Sequence, residues 1–362
     1  MSISIHQFAP ATAMGDGVTG GLFYTREMLR KLGYRSEIYA GTVPPGLSDE
    51  IHLSPYLDVT DCQLLLVHHS MGHEFEQWLY DLDCPKVLMY HNITPEHYFL
   101  EDSPEHFFAS IGREQLRAWP HRFVGAVGMS PYNSRELKQA GFSPVATLPL
   151  LVDPRRFDGA SVAPVDSERR GEGLLLLSIG RLVENKRQHL LVDALWHLRQ
   201  MNPELNATLC LVGESSSARY DAALRAHVQR LGLEPHVWFT GKCSDAQLRW
   251  LFEQADTLWC ASEHEGFCMP LVEAGFYGVP VVAFDSSNIA DTLGASGLLL
   301  DDANPSQMAA ATAMLNQDLD LHQQLVRSGT DNLQRFLPLT LQPQLQNFLL
   351  SLGLWVHEDA AS

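Results

Sequence analysis

Residues 259–285 read WCASEHEGFCMPLVEAGFYGVPVVAFD, and this stretch decides the fold of the chain. Its apolar opening suits a buried strand over Thr257–Ala261, and a polar loop follows over Ser262–Met269. Pro270 suits the first turn of a helix, because no intrahelical bond needs its missing N–H there. Gly278 is typical of a helix end, and the apolar run after it predicts a second buried strand. The stretch therefore predicts strand, loop, helix and strand.

The loop and the helix start form a predicted anion site. The amides of residues 266–271 lie at the helix N-terminus, where they have no intrahelical acceptor and the helix dipole is positive. Glu265 on the loop and Glu273 on the first helical turn are acceptors, which seek hydroxyl or amide donors. This combination suits a phosphorylated and polyhydroxylated ligand such as a nucleotide sugar. The alternative is a capped helix between two strands, with both glutamates in solvent.

The two glutamates also carry a family resemblance. Glu265 and Glu273, with seven residues between them in EGFCMPLVEA, resemble the signature of retaining glycosyltransferases, especially glycosyltransferase family 4. The segment GVPVVA that follows is also typical of that family. The resemblance covers nearly the whole chain, densely at 174–300 and loosely before residue 85. It implies the α/β GT-B fold: two Rossmann-like parallel-sheet domains facing a cleft, with the C-terminal helix crossing back to the first domain.

Composition limits the class of protein. A chain of 362 residues exceeds what one hydrophobic core usually supports, so two domains are expected. The formal net charge of −18 argues against a nucleic-acid partner, because phosphate backbones select basic surfaces. The six cysteines include no Cys-x-x-Cys pair, which disfavours a zinc or disulfide framework. The chain shows no signal peptide and no apolar run of the ~20 residues that span a bilayer, so a cytoplasmic location is expected.

Strands alternate with helices along the chain, which predicts two parallel, doubly wound sheets. The predicted strands are 2–8, 35–40, 62–68, 86–90, 123–129, 145–150, 174–179, 207–212, 236–240, 257–261 and 280–284. The predicted helices include 20–32, 105–118, 131–140, 309–336 and 341–352. The pattern is lost over Arg155–Gly173, whose composition is typical of an interdomain linker.

These patterns and the resemblance give the expected domains. Residues 1–155 are assigned to an N-terminal acceptor-side domain, 156–172 to a linker and 173–339 to a C-terminal domain for the nucleotide-sugar donor. A final helix at about 340–362 is expected to belong to the N-terminal domain, as the resemblance implies.

A cationic element follows the first strand of the second half. Residues 178–186, SIGRLVENK, resemble the family's Gly-Arg-Leu-x-x-x-Lys element. Arg181 and Lys186 would neutralise a diphosphate there, Arg181 as a fork and Lys186 as a point charge, in place of a metal. Asp-x-Asp pairs at 81–83 and 318–320 are of the type that holds a cation in other glycosyltransferases, but both fall in helical or turn contexts. No metal is therefore expected. An exposed basic helix start is the alternative for the two cations.

Residues 15–20, GDGVTG, formally match the Gly-x-Gly-x-x-Gly motif of dinucleotide-binding folds. However, a long loop at Ala9–Met14 separates the motif from the first strand, and the acidic residue of the second strand falls mid-strand. Gly20 and Gly21 are interpreted instead as a glycine-rich lip, whose amides approach the donor phosphates or the acceptor. Asp16 is an acceptor-side candidate.

His91 follows the strand at 86–90. In family 4 a histidine after this strand faces the donor sugar, and His91 matches it; an imidazole can donate or accept near neutral pH. His68 and His69 end the neighbouring strand and are a second choice. An apolar platform for the acceptor is predicted from Tyr98, Phe99, Leu100, Phe107 and Phe108. The alternative is an ordinary helix whose aromatic stripe packs on the sheet.

The candidate residues fall into three sets. The catalytic set is His91, Glu265, Arg181 and Lys186. The donor-binding set is Gly20, Gly21, Arg181, Lys186, Gly241, Lys242, Glu265, Gly266, Phe267, Cys268, Met269, Leu271 and Glu273. The acceptor-side set is Asp16, His69 and Phe99.

The resemblance implies a retaining, metal-independent transfer of a hexose from a nucleoside-diphosphate sugar to a hydroxyl of a glycan or lipid-linked acceptor, in bacterial-type glycan or polysaccharide assembly. Glu265 would hold sugar hydroxyls and Glu273 the ribose diol, while the donor's own phosphate oxygen takes the acceptor proton. An epimerase of the same fold and a non-catalytic nucleotide-sugar binder are the alternatives. Transient contact with a membrane surface is included among the expected interactions. The donor stays open between GDP-mannose, a UDP-hexose and a UDP-N-acetylhexosamine.

Overall fold

The structure, a computed structural model, describes residues 3–151, 164–165 and 173–354. The chain divides into two compact units, one made of Met1–Leu151 with Phe336–Ser362 and the other of Val152–Arg335. The predicted linker at 156–172 lies outside the described residues, apart from Pro164 and Val165.

The first unit alternates strands and helices. Its elements are β1 (Ile5–Ala11), α1 (Gly17–Lys31), β2 (Ile38–Thr42), β3 (His52–Leu53), β4 (Leu64–His69), α2 (Glu76–Asp81), β5 (Lys86–Tyr90), α3 (Pro104–Ala118), β6 (Gly125–Gly128), α4 (Pro131–Ala140) and β7 (Val145–Thr147). The described strands form one parallel sheet in the order β3-β2-β1-β4-β5-β6-β7.

The second unit follows the same plan. Its elements are β8 (Leu174–Ile179), α5 (Gln188–Met201), β9 (Ala207–Val212), α6 (Ala218–Arg230), β10 (Val237–Gly241), α7 (Asp245–Gln254), β11 (Thr257–Cys260), α8 (Met269–Tyr277), β12 (Val281–Phe284), α9 (Ile289–Leu293), β13 (Gly297–Leu300), α10 (Pro305–Gln317) and α11 (Leu319–Leu333). Its strands form a second parallel sheet in the order β10-β9-β8-β11-β12-β13. The last helix, α12 (Pro338–Ser351), belongs to the first unit. The two parallel sheets confirm the predicted pair of Rossmann-like domains.

Both faces of the first sheet are buried. Leu64 and Leu66 of β4 pack on one face, whereas Leu65 and Val67 pack on the other, because successive side chains of a strand point to opposite sides. One face is covered by α1 and α12, which contribute Met28, Leu29, Leu341, Leu345, Phe348 and Leu349. The other face packs against α2, α3 and α4 through Leu79, Ala109, Leu116 and Leu137. The prediction that the final helix returns to the first unit is therefore confirmed.

Each strand order reverses once, between β1 and β4 in the first sheet and between β8 and β11 in the second. Open parallel sheets bind ligands beyond the carboxyl ends of their strands at such a reversal. The residues that follow β8 and β11, and those at the ends of β1 and β4, therefore lie where a site is expected.

Two glycines fix the position of α8. A Cβ atom placed on Gly275 of α8 would lie 2.9 Å from the carbonyl oxygen of Gly329 in α11, which is closer than side-chain carbons approach. The two helices therefore meet backbone to backbone, and the helix that follows the quoted loop has little freedom to move toward α11.

Several elements differ from their predicted bounds. The predicted helix at 309–336 is two helices, α10 and α11, because Asp318 interrupts it and caps α11 by accepting a hydrogen bond from the Leu321 amide at 2.9 Å. Strand β13 was not predicted, since its four residues are a short apolar run without alternation. The bounds of α4, β5, β8 and β9 are those predicted. No helix among the described residues has both the length and the apolar character needed to cross a membrane.

Candidate active site

Two loops meet at the strand-order reversal of the second sheet. One follows β8 and ends in a 3-10 turn, Glu184–Lys186; the other joins β11 to α8. The ammonium of Lys186 forms an ion pair with the carboxylate of Glu265, through Nζ and Oε1. The side chains are 20% and 11% exposed, so the pair is largely shielded from water but reachable from outside.

Hydrogen bonds to backbone carbonyls hold these two loops together. The Glu263 amide donates to the Asn185 carbonyl at 2.7 Å, and Asn185 Nδ2 donates to the His264 carbonyl at 3.3 Å. Arg187 Nε donates to the Ala261 carbonyl at 2.7 Å. The positions of Lys186 and Glu265 are therefore set by a network around them as well as by their own attraction.

The ion pair decides the charge of both groups. Burial alone would lower the pKa of Lys186, but the Glu265 carboxylate outweighs this effect and raises it. Burial alone would raise the pKa of Glu265, but the Lys186 ammonium outweighs this effect and lowers it. Both groups are therefore charged at neutral pH, and the pair offers a cation and an acceptor to an incoming polar ligand.

Helix α8 begins and ends as its residues predict. Pro270 lies in its first turn, and Gly278 ends it with a left-handed φ of 68°. Cys268 occupies the N-cap position with φ 71° and makes no side-chain cap, but its backbone carbonyl accepts a hydrogen bond from the Leu271 amide at 3.2 Å. The prediction that Glu273 lies on the first turn was wrong. Because the helix starts at Met269, Glu273 is its fifth residue and is buried, 4% exposed.

The other donor candidates lie around this carboxyl edge of the second sheet. Arg181 and Lys242 are exposed on the loops after β8 and β10. The loops after β8 and β10 both contact Gly213, which the sequence analysis missed. The φ of Gly213 is 141°, and a Cβ on this residue would lie 2.1 Å from the Gly180 carbonyl oxygen. The Gly213 amide donates to the carbonyl of Gly241 at 2.9 Å.

Two donor candidates have buried side chains. Leu271 packs in the core, 1% exposed, and Phe267 is 5% exposed, with its carbonyl accepting a hydrogen bond from Thr292. The side chains of these two residues are therefore not available to a ligand in this conformation.

In the first unit, His91 ends a chain of hydrogen bonds. Gln7 Nε2 donates to the Leu22 carbonyl at 3.1 Å, which turns the Gln7 amide oxygen toward His68. His68 Nε2 lies 3.0 Å from that oxygen, and His68 Nδ1 lies 2.8 Å from His91 Nε2. Because an amide oxygen only accepts, His68 Nε2 carries the proton, His68 Nδ1 accepts, and neutral His91 donates from Nε2.

This chain leaves His91 Nδ1 as an acceptor. The atom is buried and has no hydrogen-bond partner within the part of the chain that the structure describes. Burial lowers the pKa of His91 to about 3, and burial together with the neighbouring imidazole lowers that of His68 well below its ordinary value. Both rings are therefore neutral at physiological pH, and the vacant acceptor suits the hydroxyl of a polyol.

The glycine-rich lip was a wrong prediction. Helix α1 begins at Gly17, because the Asp16 carboxylate caps it by accepting from the Thr19 amide at 3.1 Å. The Gly20 amide is therefore used inside the helix, where it donates to the Asp16 carbonyl at 2.9 Å. Gly21 packs beside the first-unit side chains instead: a Cβ there would lie 3.3 Å from Leu150 Cδ2 and 3.8 Å from His91 Cε1. The expected long loop at 9–14 is also shorter, because β1 extends to Ala11.

The acceptor-side candidates separate in the structure. His69 points to the opposite face of β4 from His68, where it is fully buried against Trp119 with 4.7 Å between ring centroids, and so is not exposed to an acceptor. Phe99 is partly buried against the same core. Phe107 of α3 is 57% exposed. Asp16 is exposed at the start of α1.

Sequence reasoning missed Gln7 and Cys260. Gln7 is a buried amide in β1, a signal that could have been connected with His68 on the neighbouring strand. Cys260 was not connected with any other residue, yet its Sγ lies 4.0 Å from Cys268 Sγ. Sequence spacing gave no sign of that approach.

The chain is similar to several known proteins. Residues 163–331 match the family model described as glycosyl transferases group 1. The D-inositol 3-phosphate glycosyltransferase of Stackebrandtia nassauensis is 28% identical over 307 residues, which cover 81% of this chain and 66% of that protein. The phosphatidyl-myo-inositol mannosyltransferase of Mycobacterium leprae is 26% identical over 283 residues, covering 76% of this chain and 70% of that protein.

The chain thus spans about two thirds of the length of these relatives. Among solved structures, Anabaena HepE in complex with UDP-glucose is similar with a TM-score of 0.74 at 19% identity, covering 96% of this chain and 99% of that one. At that identity the likeness concerns the fold. Residues 163–331 are therefore similar to the glycosyl transferases group 1 family, and the two parallel-sheet units of the chain have the GT-B fold.

Proposed function

We propose that the protein is a retaining glycosyltransferase that moves a hexose from a nucleoside-diphosphate sugar to a hydroxyl of a glycan or lipid-linked acceptor. The observation that carries this proposal is the Lys186–Glu265 ion pair at the strand-order reversal of the second sheet, on the loop that leads into α8. A cation for a diphosphate and a carboxylate for sugar hydroxyls are the two groups that such a donor requires, and here they are adjacent.

In the proposed complex, Lys186 turns from Glu265 to the diphosphate and stabilises the charge that develops on the leaving group. Arg181 adds a second cation from the loop after β8, and the N-terminal end of the α8 dipole adds positive potential. Glu265, released from the ammonium, accepts from sugar hydroxyls. Glu273 is proposed to bind the ribose diol. His91 Nδ1, the acceptor without a hydrogen-bond partner among the described residues of the first unit, is proposed to accept from a hydroxyl of a sugar ligand.

The proposed chemistry proceeds on one face of the sugar. The bond between the anomeric carbon and the phosphate oxygen breaks while the acceptor oxygen bonds to that carbon, so the configuration is retained. The proton of the acceptor hydroxyl passes to the leaving phosphate oxygen, and no protein nucleophile is needed. Because Lys186 and Arg181 supply the positive charge, transfer is proposed to be independent of metal.

The proposal specifies the donor only by class, as a nucleoside-diphosphate sugar. The Anabaena neighbour was solved with UDP-glucose, and one relative is named a mannosyltransferase. UDP-glucose, UDP-N-acetylglucosamine and GDP-mannose are therefore the first compounds to test by thermal shift, because a ligand at 100 times its Kd stabilises by about 2.7 kcal/mol.

The decisive experiment incubates each stabilising donor with and without sugar or lipid-linked acceptors, in the presence of a chelator. Release of nucleoside diphosphate together with a new glycoside of unchanged anomeric configuration supports transfer. Conversion of the donor sugar without acceptor would show the alternative, an epimerase. Binding without either product would show a nucleotide-sugar binder, and loss of transfer on chelation would overturn metal independence.

The acceptor is proposed to approach the first unit near α3, whose Phe107 is 57% exposed, with Leu100 nearby in the chain at 43%. Exposed aromatic surface often marks a binding site, and it suits the apolar part of a lipid-linked acceptor or the face of a sugar ring. Transient contact with a membrane surface is proposed on the same grounds.

A further inference from the structure

Three potential metal ligands lie together beside the ion pair. Cys260 ends β11, Glu265 lies on the following loop, and Cys268 precedes α8. One ligand atom from each of them lies within 4.8 Å of the others. No other group of three such ligands occurs among the residues that the structure describes. We propose that Cys260, Glu265 and Cys268 form a binding site for a soft divalent cation of the Zn²⁺ or Cd²⁺ type.

The spacing of the sulfurs fits a shared metal. Zinc bonds to thiolate sulfur at about 2.3 Å in a tetrahedron, which places two such sulfurs about 3.8 Å apart. Cys260 Sγ and Cys268 Sγ lie 4.0 Å apart. A disulfide requires an S–S distance of about 2.05 Å, so oxidation would need a much larger movement than metal binding. The carboxylate of Glu265 provides a third ligand, which a disulfide would not use.

The backbone at Cys268 gives a second reason. Its φ of 71° lies in the left-handed region, which residues other than glycine seldom adopt. Such conformations are held by the surrounding structure and concentrate at functional sites. A glycine would fit this position without strain, yet here a side chain is present and its sulfur approaches Cys260.

The charges of the three ligands and the number of ligands are also compatible with a bound divalent cation. Two thiolates and one carboxylate around a divalent cation leave a net charge of about −1, which the ammonium of Lys186 neutralises from its place beside Glu265. The thiols lose their protons when the metal binds, so binding releases protons to solvent. Three protein ligands leave one tetrahedral position for water.

A bound cation would engage the Glu265 oxygen that is proposed to hold sugar hydroxyls. The metal is therefore expected to inhibit donor binding, and it has no part in the transfer step. The competition between the metal and the donor rests on the proposed function, whereas the proposal that the metal binds does not.

The first test titrates the metal-free full chain with Co²⁺ and Cd²⁺, and follows thiolate-to-metal absorption and heat. One tetrahedral ion per chain is expected. Cys268→Gly suits the local φ and should fold normally, while Cys260→Ser removes the other sulfur; each should weaken binding by at least about 10-fold. Cys84→Ser is the matched control, because the thiols of Cys62 and Cys84 also interact but complete no group of three ligands.

Absence of thiolate absorption, or equal binding by Cys268→Gly and the wild type, would overturn the site. Loss of two free thiols on metal treatment, with a disulfide found by mass spectrometry, would show that the two cysteines are oxidised and would overturn the proposed metal site.

The second test measures UDP and GDP-mannose affinity with and without one equivalent of Zn²⁺. Competition is supported if Zn²⁺ weakens nucleotide binding to the wild type but leaves the nucleotide affinity of Cys268→Gly unchanged. Equal affinity with and without Zn²⁺ overturns competition. If no nucleotide sugar binds the metal-free protein, the proposed function fails, while the Co²⁺ titration still decides the metal site.

Discussion

Lys186 and Glu265 are 79 positions apart in the chain, yet their charged ends meet as an ion pair whose side chains are only 20% and 11% exposed. Removal of one partner leaves the other charge poorly solvated, which is more costly than replacing both.

The first prediction concerns this pair. Lys186→Ala and Glu265→Ala are each expected to lower the free energy of unfolding by about 3 kcal/mol, and the double variant Lys186→Met, Glu265→Gln by less than the sum. Urea unfolding measures all three. Arg249→Ala is the control, since the Arg249–Glu253 pair is 30% and 36% exposed and its loss should cost about 0.5 kcal/mol. Additive losses would contradict the coupling.

The second prediction concerns Glu273. Glu273→Gln keeps the volume of this buried side chain but removes the charge, and should weaken nucleoside-diphosphate binding by about 1.5–3 kcal/mol. Calorimetry with UDP and GDP measures the change. The matched control is Glu253→Gln on the exposed part of α7. Unchanged affinity in Glu273→Gln would remove this residue from the proposed site.

The third prediction concerns the chain Gln7–His68–His91. His68→Phe removes the acceptor of His91 Nε2, so His91 is no longer held in one tautomer. Loss of one such hydrogen bond, about 1–3 kcal/mol, should slow transfer roughly 5- to 150-fold while the affinity for free nucleoside diphosphate stays unchanged. Nitrogen NMR of His91 should show a mixture of tautomers. The exposed His121→Gln serves as control, and an unchanged rate in His68→Phe would exclude the positioning role.

The fourth prediction concerns pH. Burial lowers the pKa of His69 and of His91 to about 3, whereas unfolded histidine titrates near 6.5. The unfolded state therefore binds more protons as the pH falls below about 6.5, and folding stability decreases until the pH approaches the folded pKa. Each residue should cost about 2 kcal/mol at about pH 5. Denaturant unfolding at neutral and acid pH tests this, with His69→Gln expected to flatten the dependence; an unchanged slope would contradict it.

The fifth prediction separates two aromatic residues. Phe107→Ser should leave the melting temperature nearly unchanged, because the ring is 57% exposed, but should reduce transfer to the acceptor while donor hydrolysis persists. Phe99→Ser should lower the free energy of unfolding by about 1–2 kcal/mol, because its ring packs partly on the core. Equal transfer by Phe107→Ser and the wild type would exclude the acceptor platform.

The bounds of strands and helices could be predicted from the sequence where neighbouring residues alone determine the element. The mostly apolar runs of β8 and β9 predicted their bounds correctly, since central parallel strands are buried on both faces. The proline and glycine that delimit α8 likewise acted locally.

Contacts between distant residues were not accessible in this way. Lys186 and Glu265 were each assigned to a different part of a ligand, and nothing in their spacing indicated that they pair with each other. The lip at Gly20 and Gly21 failed because the glycine motif was preferred over the cap at Asp16, whose bond to Thr19 starts the helix earlier.

Helix α12 has a consequence for biosynthesis. The first unit is encoded in two pieces, and α12 supplies Leu341, Leu345, Phe348 and Leu349 to its core. On the ribosome, the amino-terminal piece therefore emerges with one face of its sheet covered only in part, by α1, until the whole second unit and α12 have been translated. The second unit is continuous and can complete its core first, which reverses the usual order in which the amino-terminal domain matures earliest. A nonsense mutation shortly before α12 would thus damage the part of the protein that was made first.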